Sequence, residues 1–255
     1  PAPAAAGRTP ATTRTPISWP RKHTGRQLQQ IAFPLGGVAA GSICLGGRGQ
    51  LRDWEIYNRP DKGNQPAYAV PSIWVQLPGR KPVAKVAEAR YQPPYEGSSG
   101  LGSNNAPGMP RLDSATFTGQ FPMARIDFRD RRLPVELALE GFTPFFPLDA
   151  DASGLPACIL RYKVSNPNSV PAQVALCYSL DNPVRVQTGG GAARPPADLR
   201  DNDLRESGEL RGLVMTNAGL LPDSPVRGDF TLAALGSGEV TIWRGWPRGR
   251  WWNSP

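Results

Sequence analysis

Residues Ile31–Gly63 read IAFPLGGVAAGSICLGGRGQLRDWEIYNRPDKG. Seven glycines crowd this stretch, followed by a charged and aromatic run, Gln50–Tyr57, that reads as a strand. The glycines at 36, 37, 41, 46, 47 and 49 invite comparison with phosphate-binding loops, but the templates fail. No G-x-G-x-x-G register fits, no Gly-Lys-Ser/Thr follows, and no helix follows whose N-terminus would hold an anion. Tight turns and close strand packing, both of which exclude a β-carbon, account for the pattern better.

Asp53 and Glu55 stand two residues apart, so an uninterrupted strand puts both carboxylates on one face and Arg52 and Trp54 on the other. Glycoside hydrolysis needs two carboxyl groups flanking the scissile bond. Two side chains of one strand reach a sugar from the same side, which suits ion pairing with Arg48, Arg59 or Lys62 better than an acid/nucleophile pair. Ser42 has neither a partner base nor a nucleophile-elbow pattern around it, which makes it structural.

Outward from this stretch, the 255-residue chain holds 28 glycines and 29 prolines, more than one residue in five, against 39% hydrophobic residues. Such a chain can bury a core but not many long helices, since both residues interrupt them. The formal net charge is +8, yet the arginines are scattered apart from Arg131-Arg132 and the Arg244–Arg250 tail. A nucleic-acid footprint clusters its cations on one face among stacking aromatics, so no nucleic-acid partner is expected. His23 is the only histidine, which excludes an H-E-x-x-H zinc site or a histidine-rich metal centre. No metal and no cofactor are expected.

Cys44, Cys158 and Cys177 are too few for a disulfide scaffold. Cys158 is in phase with apolar Leu160, Tyr162 and Val164, whereas Cys177 is out of phase with Val174, Leu176 and Tyr178. If both apolar sets face one core, the sulfurs lie on opposite faces, and all three thiols are free. No apolar window approaches the ~18 residues of a membrane span. The chain opens Pro1-Ala-Pro-Ala-Ala-Ala without methionine, which predicts an N-terminal segment already removed. The compartment, cytoplasmic or exported after loss of a signal, is left open.

Residues 1–27 lack apolar periodicity and read as a flexible Pro/Ala/Thr-rich tail that contains His23. Strands are expected at Ala67–Leu77 (an edge or a bulge, because of Pro71) and at Val83–Arg90. Further strands are expected at Ser114–Thr118, Met123–Phe128 and Leu133–Glu140. In the last of these Leu133, Val135, Leu137 and Leu139 alternate inward against Pro134, Glu136, Ala138 and Glu140. Ala157–Ser165 and Gln173–Leu180, around Asn166-Pro-Asn168, form the clearest hairpin pattern. Leu210–Thr216, Asp229–Ala234 and Glu239–Trp243 complete the set, and residues 92–113 and 188–209 read as long loops. The fold class is all-β: a two-sheet antiparallel β-sandwich of roughly a dozen strands with long loops. Trp243, Trp246, Trp251 and Trp252 crowd the C-terminus, too much apolar surface for an exposed end, which predicts a chain cut from a longer one.

The run Pro34–Asn64 resembles the N-terminal signature of glycoside hydrolase family 116, which includes the non-lysosomal glucosylceramidases (bile-acid β-glucosidases). In the same order come Arg90-Tyr-x-Pro-Pro94, Pro110-Arg-Leu112, Phe117-Thr-Gly-Gln-Phe-Pro122 and Leu133-Pro-Val135. Glu140-Gly-Phe-Thr-Pro-Phe-Phe-Pro-Leu-Asp-Ala150 and Ser153-Gly-Leu-Pro156 follow, so that the similarity covers residues 28–245. The resemblance implies an N-terminal β-sandwich followed by an (α/α)6 barrel that carries the catalytic glutamate and aspartate of a retaining enzyme. Only the sandwich is matched, so no catalytic residue transfers to this chain.

The expectation is therefore a β-sandwich over 28–255, truncated before the barrel, that supports a catalytic domain of the same polypeptide acting on a β-glucoside or glucosylceramide. This chain alone would be inactive. Arg48, Asp53, Trp54, Glu55, Asn58, Arg59 and the 92–113 loop are the candidate interdomain or substrate-rim residues. The competing reading is a stand-alone carbohydrate-binding module, with Trp243, Trp246, Trp251 and Trp252 as its sugar-stacking or interface surface.

Overall fold

A computed structural model describes residues 19–92, 106, 108–185, 199–236 and 238–245. Alternating apolar residues and frequent turns produce fifteen strands among these residues. Strands β1 (Arg21–Thr24), β8 (Ser114–Gln120), β9 (Met123–Arg129), β10 (Glu136–Phe142) and β11 (Ile159–Ser165) form a five-stranded sheet in that order. A four-stranded sheet runs β12 (Gln173–Ser179), β5 (Val70–Gln76), β6 (Val83–Ala89), β7 (Arg111–Leu112). Two three-stranded sheets complete the fold, one of β2 (Ala32–Leu35), β3 (Ser42–Gly46) and β4 (Leu51–Glu55). The other is formed by β13 (Arg200–Ser207), β14 (Leu210–Asn217) and β15 (Phe230–Leu235). Pairing is antiparallel except for β6 with β7.

The expected β-sandwich class holds. One core joins Phe117, Ile126, Leu137 and Leu139 of the five-stranded sheet to Ile73, Val75 and Ala87 of the four-stranded sheet. Leu35, Leu45 and Leu51 of the β2–β4 sheet enter the same cluster. A small second cluster of Val184, Leu220 and Val226 meets the first through Phe230. The inward set Leu133, Val135, Leu137 and Leu139 is buried as the alternation requires. Glu140 on the opposite face is buried as well, under Arg125, Arg161 and Lys163, because β10 has a strand on either side.

Several local expectations are corrected. The chain enters the sheet inside the segment whose composition resembles a tail: β1 pairs with β8, which sets His23 opposite Phe117. A polar strand was invisible there because its ladder comes from a partner some ninety residues on. The β11–β12 hairpin does not form: β11 pairs with β10, and β12 pairs with β5. Their connection crosses from one sheet to the other, and alternation cannot distinguish such a corner from a hairpin. β5 lies inside its sheet, and its ladder to β6 begins at Ser72, one residue past Pro71, so the missing proline N–H is tolerated. β13 occupies part of the expected 188–209 loop, and residues 239–243 are not a strand.

The three cysteines are free, as expected. No helix among the described residues is long and apolar enough to cross a membrane.

Candidate functional site

The signature strand β4 contains a bulge. Ser42 pairs with Glu55 and Cys44 with Arg52, so β4 carries one more residue than β3 over this span. Asp53 takes up the excess in the left-handed region, with φ of 53°. The bulge overturns the simple two-faced reading: Asp53 and Trp54 are both buried, whereas Arg52 and Glu55 are half-buried.

Both carboxylates nevertheless serve one loop. Asp53 accepts the Gly63 amide at 2.6 Å and Arg52 Nε at 3.3 Å. Glu55 accepts the Asp61 amide at 3.3 Å and Lys62 Nζ at 2.8 Å. The strand thus clamps residues 56–63, whose tip displays exposed Asn58, also left-handed at φ 53°, and exposed Arg59. Burial alone would raise the Asp53 carboxyl, but the Gly63 amide and Arg52 outweigh it and hold the carboxyl below its ordinary value. The hydrogen bond from Lys62, aided by the Asp61 amide, lowers Glu55 likewise. A glycosidase acid needs the opposite shift, toward neutrality. Cys44 lies behind the clamp, where burial and the Asp53 charge push its thiol up to about 11.

Arg48 turns inward rather than toward a partner. It donates to Glu88 at 3.3 Å and to the Ala89 carbonyl at 3.1 Å. Arg111 donates to the same Glu88 oxygen at 3.2 Å, and all three side chains are buried. The Tyr91 ring lies under both guanidiniums, 4.0 Å from Arg48 and 4.5 Å from Arg111. Arg111 also donates to the Ala106 and Met109 carbonyls, at 3.0 and 3.3 Å, and Gln29 Nε2 donates to the Gln92 carbonyl. The two ends of the 92–113 segment are therefore fastened to the core, while residues 93–105 and 107 lie outside the described residues.

Trp54 packs on Phe230 at 5.5 Å between ring centroids and joins β4 to the β13–β15 sheet. Of the sequence candidates, then, Arg48, Asp53 and Trp54 are interior residues of this domain, which corrects their assignment to a surface. Glu55 is half-buried, and Asn58 and Arg59 are exposed beside it. Trp243 is 68% exposed, whereas Trp246, Trp251 and Trp252 lie outside the described residues. The residues that sequence reasoning missed are Glu88 and Tyr91, while Arg111, inside the 92–113 segment it named, turns inward to Glu88 instead of lining a surface. The only signal of their role was their place in or beside the Arg90-Tyr91 and Pro110-Arg-Leu112 motifs.

Two glycines show what the signature is for. A β-carbon on Gly37 would meet the Gly154 and Leu155 carbonyl oxygens at 2.5 and 2.4 Å. One on Gly41, at φ 85°, would meet the Glu55 carbonyl oxygen at 2.8 Å. Segment 36–41 is thus wedged between the end of β4 and the 143–157 loop. No group of three histidine, cysteine, aspartate or glutamate side chains suited to a metal occurs among the described residues. A cleft of about 420 Å³ beside Lys85, Arg111, Asp113, Arg131 and Arg132 is rich in cations. Most are already paired: Lys85 with Asp130, Arg111 with Glu88, Arg131 with Asp113.

No curated protein sequence matches the chain. A family model described as "beta-glucosidase 2, glycosyl-hydrolase family 116 N-term" matches residues 32–248. The match takes in the β3–β4 glycine turns, the Asp53–Glu55 clamp and the Arg48–Glu88–Arg111 cluster, and with it most of the chain's length. This chain belongs to the family of N-terminal domains of family 116 glycosyl hydrolases.

Proposed function

We propose that this domain is noncatalytic and packs against the catalytic (α/α)6 barrel of its own polypeptide, a retaining β-glucosidase of the glucosylceramidase type, to brace it. The observation that carries the reading is the double carboxylate clamp. The only closely spaced acids of the signature strand hold the backbone and lysine of loop 56–63, and both are kept below the ordinary carboxyl range. Groups so engaged position a loop and do not protonate a glycosidic oxygen. In this reading Asn58 and Arg59 reach the barrel or the rim of its substrate pocket, while Arg48, Asp53, Trp54 and Glu55 support them from within. The substrate, a soluble β-glucoside or glucosylceramide, is bound by the barrel.

The chain alone is expected to release no aglycone from an aryl β-glucoside. Turnover that Glu55→Gln abolishes would overturn the assignment. The exposure of Trp243 favours a second reading, a carbohydrate-binding module in which that indole stacks on a sugar ring. Isothermal titration with cello-oligosaccharides separates the two, since a bracing domain gives no heat of binding.

A further inference from the structure

We infer that the surface by which this domain meets its catalytic barrel is a three-loop platform built from segments 36–41, 56–63 and 144–155, with Leu148 as its principal apolar contact. This rests on the reading above and adds to it a defined face.

The loops are one body. The Val38 amide donates to the Ser153 carbonyl at 2.8 Å, and Gly36 donates to Thr143 Oγ1 at 2.6 Å, so segment 36–41 is stapled to the loop after β10. On its other side Gly41 abuts the backbone of Glu55 and Ile56, where the clamped loop begins. Segment 144–155 is internally tied: Ser153 Oγ accepts the Phe146 amide at 2.9 Å and donates to the Phe146 carbonyl at 3.0 Å. Asp149 caps the short helix Ala150–Ser153 (α1) by accepting the Ala152 amide at 2.9 Å.

A loop so well bonded has no need to place apolar side chains in water, yet this one does. Val38, Phe146, Leu148 and Leu155 are all exposed, and Phe145, also exposed, stacks edge-on against exposed Phe121 at 5.0 Å. Leu148 is the most telling. It is 109% exposed and sits at φ 68°, a left-handed conformation that glycine or asparagine adopts far more easily. Within this domain a leucine gains nothing from that position, so its gain lies in burial against a partner.

The composition of the face identifies the occupant. Apolar Val38, Phe146, Leu148 and Leu155 on 36–41 and 144–155 are exposed, and so are polar Asn58, Arg59 and Lys62 on the loop that begins where Gly41 abuts Glu55 and Ile56, a mixture of apolar and polar groups usual in an interface between folded surfaces. Family membership supplies such a surface in the same polypeptide. A covalent tether raises the partner's effective concentration, so a patch of this modest extent suffices.

Hydrogen exchange compares this 255-residue chain with the full-length parent polypeptide. Amides of 36–41 and 144–155 are expected to exchange about tenfold or more slowly in the parent. Leu148→Asp should return them to the rate of the chain alone, whereas Leu235→Asp, at an exposed leucine of another sheet, should not. Unchanged thermal unfolding of the Leu148→Asp chain shows that the variant folds. Protection confined to other segments would overturn this face and leave the bracing function standing. The absence of new protection anywhere would overturn both. Protection that appears in the chain alone as its concentration rises, and that Leu148→Asp removes, would assign the face to a second copy and overturn the proposal.

Discussion

The carboxylate of Asp53 accepts the amide of Gly63 across 2.6 Å, a bond that closes a ten-residue excursion of the chain back onto the bulge from which it leaves. Asp53 is buried and left-handed, two properties an aspartate seldom combines without a specific partner. The bond therefore explains the strand, the bulge and the exposed loop together.

Asp53→Asn keeps a residue tolerant of the left-handed conformation but removes the charge, and should cost about 1–2 kcal/mol in urea unfolding. Asp53→Ala should cost about 1 kcal/mol more, because alanine is strained at that φ and accepts no hydrogen bond. The folded-state carboxyl is held below its unfolded value. Its contribution is therefore complete above pH ~4 and is lost as pH falls through the folded pKa. The acid limb of the stability profile should flatten in Asp53→Asn and not in a surface control.

One carboxylate oxygen of Glu88 accepts from both Arg48 and Arg111 in the interior. Glu88→Gln should cost about 3–5 kcal/mol, since two buried guanidiniums would be left facing each other. Adding Arg48→Met to that variant should recover part of the loss. Additive costs in the double variant would show that the residues do not act as a cluster.

The thiols should separate by accessibility. Cys177 is exposed and should react with a disulfide reagent at once at pH 8. Cys44, buried and pushed up to about 11, should react only on unfolding. Burial also raises Cys158, which should lag behind Cys177. In denaturant the count should reach three. A total of one would mean that a disulfide had formed.

Gly37 faces backbone atoms, which cannot rotate aside as a side chain would. Gly37→Ala should therefore separate segment 36–41 from the 143–157 loop at a cost of about 1–3 kcal/mol. Limited proteolysis should show new cleavage near Leu148 and Leu155. An unaltered digestion pattern would mean that the two loops do not support each other.

Much of this was legible in the residues themselves. Glycine and proline content, with alternation in stretches such as Leu133–Leu139, determined an all-β chain, because side-chain direction in a strand is a local, two-residue property. The ordered motifs from Pro34 to Pro156 pointed to the family, and the absence of phosphate-loop spacing determined what the glycines do not do. Tertiary structure alone decided the rest. Alternation states which side of a strand is apolar but not which strand lies beside it. The partners of β1, β11 and β12, and the polar strand β13, therefore depended on distant pairing. It also decided that Arg48, Asp53 and Trp54 face inward. A single inserted residue in β4 buries neighbouring Asp53 and Trp54 together where a regular strand would alternate them, and whether a charged side chain is buried depends on a counter-charge such as Glu88, forty residues away.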